Sequence, residues 1–279
     1  MTGTLYLVST PIGNINDISI RAIDVLNTVD IILTEDTRVT SNLLKHHSVK
    51  AKSSLQSFNQ INEDRKAPNI ILALQEGKHI ALVSDAGTPL ISDPGYKFIK
   101  HARESNIKVE PVPGCCALIA AIISSGLPSD RFSFYGFLPR SNSKRISELK
   151  KISDKEETLI FYESVHRIQS AIEDMINVFG GNRSAVLCKE ITKIHESFIG
   201  DTLSDISIFF KKNQDKIKGE FTVVVQGSSA TEGVDEESDR VLRILMGELS
   251  LKKAVEITSK ITKNSKSKIY NRALKIKNQ

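Results

Sequence analysis

Hydrophobic positions in the first 126 residues fall into two alternating kinds of run. Short, nearly continuous apolar runs at Thr4–Val8, residues 31–33 and Ile80–Val83 have the length and β-branched content of buried strands, and Lys108–Val112 reads as a further strand. Between them, apolar residues recur at helical spacing. Ala22, Ile23, Val25 and Leu26 predict a helix capped by Asp17 and ending near Asp30. Val39, Leu43 and Leu44 predict a second, residues 61–75 a third, Phe98, Ile99 and Ala102 a fourth, and the run from Cys115 to Ile123 a fifth. Strands alternating with helices predict a parallel sheet. Each strand breaks into a polar or Pro/Gly loop, at residues 9–14, 34–38, 84–88 and 113–114. In a parallel sheet those carboxyl ends share one edge, so the loops can converge on one crevice.

Ser125-Gly126-Leu127-Pro128 predicts a border between an N-terminal α/β domain, residues 1–126, and a second α/β domain, residues 127–229. Beyond it the strand-like runs are Phe132–Phe137, residues 158–162, 185–188 and 221–225, and a helix is expected to stop at Gly180-Gly181. An acidic linker at 230–239 leads into residues 240–279. There the spacing of Val241, Leu242 and Leu245, then Leu251, Ala254, Val255, Thr258 and Ile261, then Ile269, Tyr270, Ala273 and Leu274 predicts three short helices, compositionally like a helix-turn-helix module.

Charge sharpens this division. The net charge of +5 conceals +9 in residues 240–279, from eleven Lys and Arg against two Glu, and five acidic residues with no basic one in 231–239, which leaves +1 for residues 1–230. A basic terminal module whose lysines include Lys252, Lys253, Lys266 and Lys268 points to a polyanion such as RNA; a solvated, solubilising tail is the plainer alternative. The longest apolar run, residues 115–123, is too short to span a membrane, which takes about 20 residues. Three cysteines without C-x-x-C spacing argue for a reducing cytoplasm and against a disulfide framework or zinc site. No metal constellation is visible, and the adjacent His46 and His47 are expected to point their rings apart on a helix.

The loops carry the candidate chemistry. None matches a P-loop or G-x-G-x-x-G, and they are poor in basic residues, so a neutral or cationic ligand suits them better than a phosphate-rich one. Together and in order, Ser9-Thr10-Pro11-Ile12-Gly13-Asn14, Glu35-Asp36-Thr37-Arg38, residues 84–95, Phe161-Tyr162-Glu163-Ser164-x-His166-Arg167 and Glu190-x-Thr192-Lys193 resemble the ribosomal RNA small subunit methyltransferase I family of the tetrapyrrole methylase-like superfamily. The resemblance spans nearly the whole chain. It implies a two-domain, non-Rossmann class III methyltransferase fold with a small helical C-terminal extension, S-adenosylmethionine bound between the domains, and a homodimer. It further implies methylation of the 2′-hydroxyl of a cytidine in the decoding centre of 16S rRNA in the small subunit. Two stretches depart from the family pattern: Cys115-Cys116 where small residues or proline are usual, and Cys188-Lys189 where an arginine usually precedes the glutamate.

By this resemblance the cofactor falls to Pro11, Gly13, Asp85, Gly87, Thr88, Ser92, Pro113, Gly114 and Ala117, with Tyr162 and Glu163 from the second domain. A ribose hydroxyl is a weak acid, so a base that takes its proton helps. Glu35, Asp36, Glu190 and His195 are the candidates, with Asp36 favoured; a helix cap with a local ion pair is the alternative for residues 35–38. Arg38, His166, Arg167 and Lys193 are expected to meet RNA. Two other functions stay open: a small-molecule tetrapyrrole methylase, which has no need of the basic tail, and a non-catalytic RNA-binding protein.

Overall fold

The computed structural model describes residues 2–50, 54–228, 236–262 and 264–277. Two five-stranded sheets and a terminal helical unit account for nearly all of it. The first sheet contains β1 (Thr4–Val8), β2 (Ile31–Thr34), β3 (Ser54–Ser57), β4 (Ile80–Val83) and β5 (Lys108–Val112), in the order β3-β2-β4-β1-β5. Every pairing in it is parallel. Four helices cross between these strands: α1 (Ile20–Thr28), α2 (Thr37–His46), α3 (Glu63–Gln75) and α4 (Tyr96–Glu104). Both faces of the sheet are covered, one core containing Leu5, Leu33, Ile80 and Phe98 and the other Val8, Leu26, Ile32 and Val83. The four strand ends anticipated from the pattern therefore do lie on one edge.

Two local expectations fail. Helix α1 is capped by Ser19, whose hydroxyl accepts the Ala22 N–H at 3.1 Å, and not by Asp17. The rings of His46 and His47 meet edge-to-face with centroids 4.9 Å apart, because His47 lies past the end of α2 at φ −89, ψ 12 and so escapes helical geometry.

The second sheet contains β6 (Phe132–Phe137), β7 (Thr158–Glu163), β8 (Ala185–Lys189), β9 (Ser197–Ile199) and β10 (Phe221–Val225), in the order β6-β7-β10-β8-β9. Only β6 and β7 run parallel; the other pairings are antiparallel. Helices α6 (Asn142–Lys151), α7 (Ile168–Phe179) and α8 (Leu203–Lys212) cover one face around Phe161, Leu187 and Val223.

The opposite face of that sheet is covered by α5 (Ala117–Ser125). Leu118, Ala121 and Ile122 pack on Ile160, Val186, Cys188 and Val224. Burying each large aliphatic side chain this way is worth roughly 1.5–3 kcal/mol. Helix α5 follows the first sheet in sequence yet packs on the second, so the changeover lies at residues 113–116 and not at 126, where the turn of Ser125-Gly126 placed it. An uncharged helix reads the same whichever sheet it covers.

Helices α9 (Glu236–Glu248), α10 (Leu251–Thr262) and α11 (Lys266–Lys277) pack on one another around Leu242, Ala254, Ile269 and Ala273. Arg272 pairs with Asp239, its Nε donating at 2.7 Å, and ties the last helix to the first. A unit boundary at residue 240 would cut α9. Residues 230–235, most of the expected linker, lie outside the described residues.

Candidate functional site

Three loops at the edge of the first sheet are stitched together by short-range chemistry. After β4, the Ser84 hydroxyl donates to the Gly87 carbonyl at 2.9 Å and closes the turn. Gly87 and Thr10 exchange backbone hydrogen bonds of 3.1 and 2.9 Å, joining the loop after β4 to the loop after β1. The Thr88 hydroxyl donates to the Cys115 carbonyl at 2.9 Å and lies 3.1 Å from Ser9 Oγ, which brings in the loop after β5. Gly87 has φ +86, where a side chain is strained, and an added Cβ would stand 3.3 Å from Ile12 Cγ2.

These loops face the second sheet across a cavity of about 480 Å³. Of the residues placed on the cofactor, Asp85, Gly87, Thr88, Ser92, Ala117, Tyr162 and Glu163 line it. Pro11, Gly13, Pro113 and Gly114 do not. Gly13 serves close approach between the sheets: a Cβ there would stand 2.5 Å from Lys193 Cγ, and the next residue, Asn14, donates its N–H to Thr192 Oγ1 at 3.0 Å. Gly114 passes Ser9 in the same manner, with 2.9 Å between an added Cβ and Ser9 Cβ.

Among the described residues the lining includes five carboxyl groups, Glu35, Asp85, Asp93, Glu163 and Glu220, and no Lys, Arg or His. Burial pushes the Glu35 carboxyl up to about 7, helped by the charges of Asp93 and Asp85. Burial, with the charge of Asp85, raises Asp93 to about 6. Glu163 is buried; its Oε1 accepts the Ser164 N–H and the Arg167 guanidinium, both at 2.7 Å, and its Oε2 has no hydrogen-bond partner. Tyr162 stands between Phe134 and Phe137, and its hydroxyl accepts the Leu118 N–H at the start of α5. Burial raises that hydroxyl above the ordinary phenol range, so it stays protonated. Burial likewise pushes the Cys188 thiol up to about 12, which leaves it a neutral wall.

Asp93, Phe137, Cys188, Ile191 and residues 219–222 also line the cavity, although the sequence pattern did not single them out for the cofactor. Asp93 lies in the same Asp/Pro/Gly loop as Ser92 and was legible there. Residues 221–222 reach the site through the antiparallel register that sets Phe221 beside Glu163. Of the two departures, Cys116 lines the cavity, while the Cys115 thiol donates to the Asp17 carbonyl at 2.9 Å.

The favoured base is not where it was expected. Asp36 caps α2, accepting the Arg38 N–H at 2.8 Å and the Arg38 guanidinium at 2.9 and 3.2 Å. Those bonds hold its carboxyl below the usual range, which suits a cap and not a proton acceptor. Its neighbour Glu35 lines the cavity instead. Glu190 lies outside the cavity, bonded to the Glu220 N–H at 2.8 Å and to Lys193 at 2.9 Å. Burial acts to raise its carboxyl, but these bonds outweigh it and hold it low. Lys193 also bridges to Glu220 at 2.8 Å, and Arg167 is held by Glu163, Ser164 and the Leu138 carbonyl. Both are therefore committed within the protein. His195 faces a separate groove with Glu190 and Lys193. Arg38 is largely exposed although paired with Asp36, and His166, Lys252, Lys253 and Lys266 are exposed. Lys268 lies in α11, its side chain outside the described residues. No group of three or more metal-binding side chains occurs, and no helix is long and apolar enough to cross a membrane, among the described residues.

Residues 4–207 match the family model of the tetrapyrrole (corrin/porphyrin) methylases, and residues 232–277 match that of the RsmI C-terminal HTH domain. The ribosomal RNA small subunit methyltransferase I of Escherichia coli O157:H7 is 44% identical over 273 residues, covering 98% of this chain and 95% of its own. The protein of that name from Vibrio cholerae serotype O1 is 44% identical over 268 residues, 95% of this chain and 92% of its own. The chain belongs to the ribosomal RNA small subunit methyltransferase I family. Its fold is shared with the uroporphyrin-III C-methyltransferase of Thermus thermophilus, which superposes with a TM-score of 0.55 at 19% identity over 80% of this chain and 94% of the other.

The methyl donor of this methyltransferase family is S-adenosylmethionine, and the lining suits it. A sulfonium cation without phosphate calls for acidic groups and apolar walls and not for a basic cradle. The five carboxyl groups, the absence of any basic side chain and the unpartnered Glu163 Oε2 meet that demand.

Proposed function

We propose that the protein methylates the 2′-hydroxyl of a cytidine in the decoding centre of 16S rRNA, acting as a homodimer in the cytoplasm. The observation that carries this reading is the 44% identity over 98% of the chain to a protein named for ribosomal RNA small subunit methylation. A basic three-helix unit in the same chain as an acidic, phosphate-averse cavity supports it, because a small tetrapyrrole needs no such unit.

The residues of this chain divide the work. When bound, S-adenosylmethionine supplies a methyl group that an oxygen nucleophile can accept by displacement. Asp85, Ser92, Tyr162 and Glu163 would hold it, with Gly87 giving its loop the close approach. Glu35 takes the proton of the ribose hydroxyl, since a carboxyl near 7 is a usable base at neutral pH and still a half-buried one. Asp93 keeps the surroundings of Glu35 acidic. Much of the acceleration then comes from fixing hydroxyl and methyl in line, which the three stitched loops favour by holding their shape. The exposed lysines of α10 and α11 hold the RNA by its phosphates.

The test is transfer of tritiated methyl to small ribosomal subunits from cells lacking this enzyme, followed by mapping of the label. Label at one cytidine ribose of the decoding centre is expected. Label on a base, on large subunits or on no RNA would overturn the proposal.

A further inference from the structure

A second, open groove of about 570 Å³ adjoins the cavity and shares Val165 and Gly219 with it. Its polar lining is His166, Gln169, Gln214 and Lys218. We propose that this groove seats the RNA strand flanking the nucleotide that enters the cavity. The proposal rests on the RNA substrate argued above, and it fixes the side from which the strand comes.

Charge decides the direction. A strand leaving a cavity with five carboxyl groups in its wall carries a phosphate at every step and is repelled until it meets cations. Among the described residues, the groove beyond Val165 has no carboxyl group in its lining, and Lys218 and His166 take part in no ion pair. A further groove, near Gly13 and Asn14, differs in this respect. Its ammonium group, Lys193, is neutralised by Glu190 at 2.9 Å and Glu220 at 2.8 Å, and Glu190 lines it too.

The donor set fits a single strand. Lys218 supplies a point charge for a phosphate, and the His166 ring offers a face on which an unpaired base stacks. The Gln169 and Gln214 amides each carry donors and an acceptor, so they can meet base edges or ribose hydroxyls. All four side chains are exposed, so they are available and their replacement leaves the core intact.

The experiment compares the full chain with Lys218→Ala, Lys218→Arg and a Lys218→Ala/Gln169→Ala/Gln214→Ala triple variant. Small ribosomal subunits from cells lacking the enzyme are the substrate. The triple variant is expected to raise KM for subunits at least about tenfold, as removal of one charge and two hydrogen bonds implies. Donor affinity by calorimetry should stay at the wild-type value. In Lys218→Ala, where one phosphate goes unneutralised, the logarithmic salt dependence of subunit binding should fall by about 0.7. Lys218→Arg should keep both KM and slope at the wild-type values. Wild-type KM and an unchanged salt slope in the triple variant would overturn the groove and leave the methylation reading standing. Should the wild-type protein bind subunits yet transfer no methyl, the methylation reading falls, and the salt slope of binding by filter retention still decides the groove.

Discussion

Replacing Glu35 by Gln removes one proton acceptor and one charge while keeping the volume of the side chain. With a carboxyl near 7, about half of the molecules carry an ionised Glu35 at neutral pH. A positioned base typically contributes 10²–10⁴-fold, so the variant should lose about 3–5 kcal/mol of barrier lowering. Donor affinity should fall by far less than this, only to the level wild type shows with Glu35 protonated, because Asp85, Asp93, Glu163 and Glu220 remain in the wall. Single-turnover methyl transfer followed against pH is the assay. The wild-type rate should climb about tenfold per unit below about 7 and level off above it, and the variant should be slow without that limb. Stability should move the other way. Between the ordinary carboxyl value and about 7 the folded state holds more protons than the unfolded chain, so folding weakens as pH rises through that window. Glu35→Gln lacks this loss and should unfold at a higher temperature than wild type above pH 7. A variant with the wild-type rate and the wild-type pH profile would refute Glu35 as the base.

Four shorter predictions follow from the same geometry. Affinity for the cationic donor should fall as pH drops through about 7 and then about 6, while Glu35 and Asp93 gain protons; calorimetry at several pH values with a flat response would contradict the acidic cavity. Gly87→Val forces a β-branched residue to φ +86, a strain of roughly 1–2 kcal/mol, and sets its Cβ against Ile12, so donor binding should weaken markedly; unchanged affinity would remove Gly87 from the site. Asp36→Asn should keep turnover and lower the thermal midpoint slightly, because the carboxylate caps α2 and pairs with Arg38; a large loss of turnover with normal stability would restore Asp36 as a catalytic group. A chain ending at residue 228 should bind the donor normally but hold subunits more weakly with a flatter salt dependence; an identical slope would clear α9–α11 of RNA contact.

The first sheet was legible because its central strands are apolar on both faces and each ends in a Pro, Gly or acidic loop. β3 was not, since Ser54-Leu55-Gln56-Ser57 is an edge strand with mostly polar residues. β9 has three residues, too few for a period. The antiparallel order of the second sheet depends on long-range pairing that short apolar runs do not encode. For the site, the motif at residues 35–38 named a loop that reaches the cavity and left two carboxylates in it as candidates, with Asp36 favoured. Both acidic residues follow β2, and only the three-dimensional turn of the chain sends Glu35 to the cavity and Asp36 to the helix end. Turn glycines and prolines were read as ligand contacts for a similar reason. A loop that shapes a pocket and a loop that touches its occupant have the same composition.

Because α5 is wedded to the second sheet, the covalent crossing at residues 113–116 runs straight into the cavity wall, of which Cys116 and Ala117 are part. One short stretch of backbone therefore serves as joint and as wall, and a change of side-chain size at either residue should register both in the seating of α5 and in the space left for a ligand.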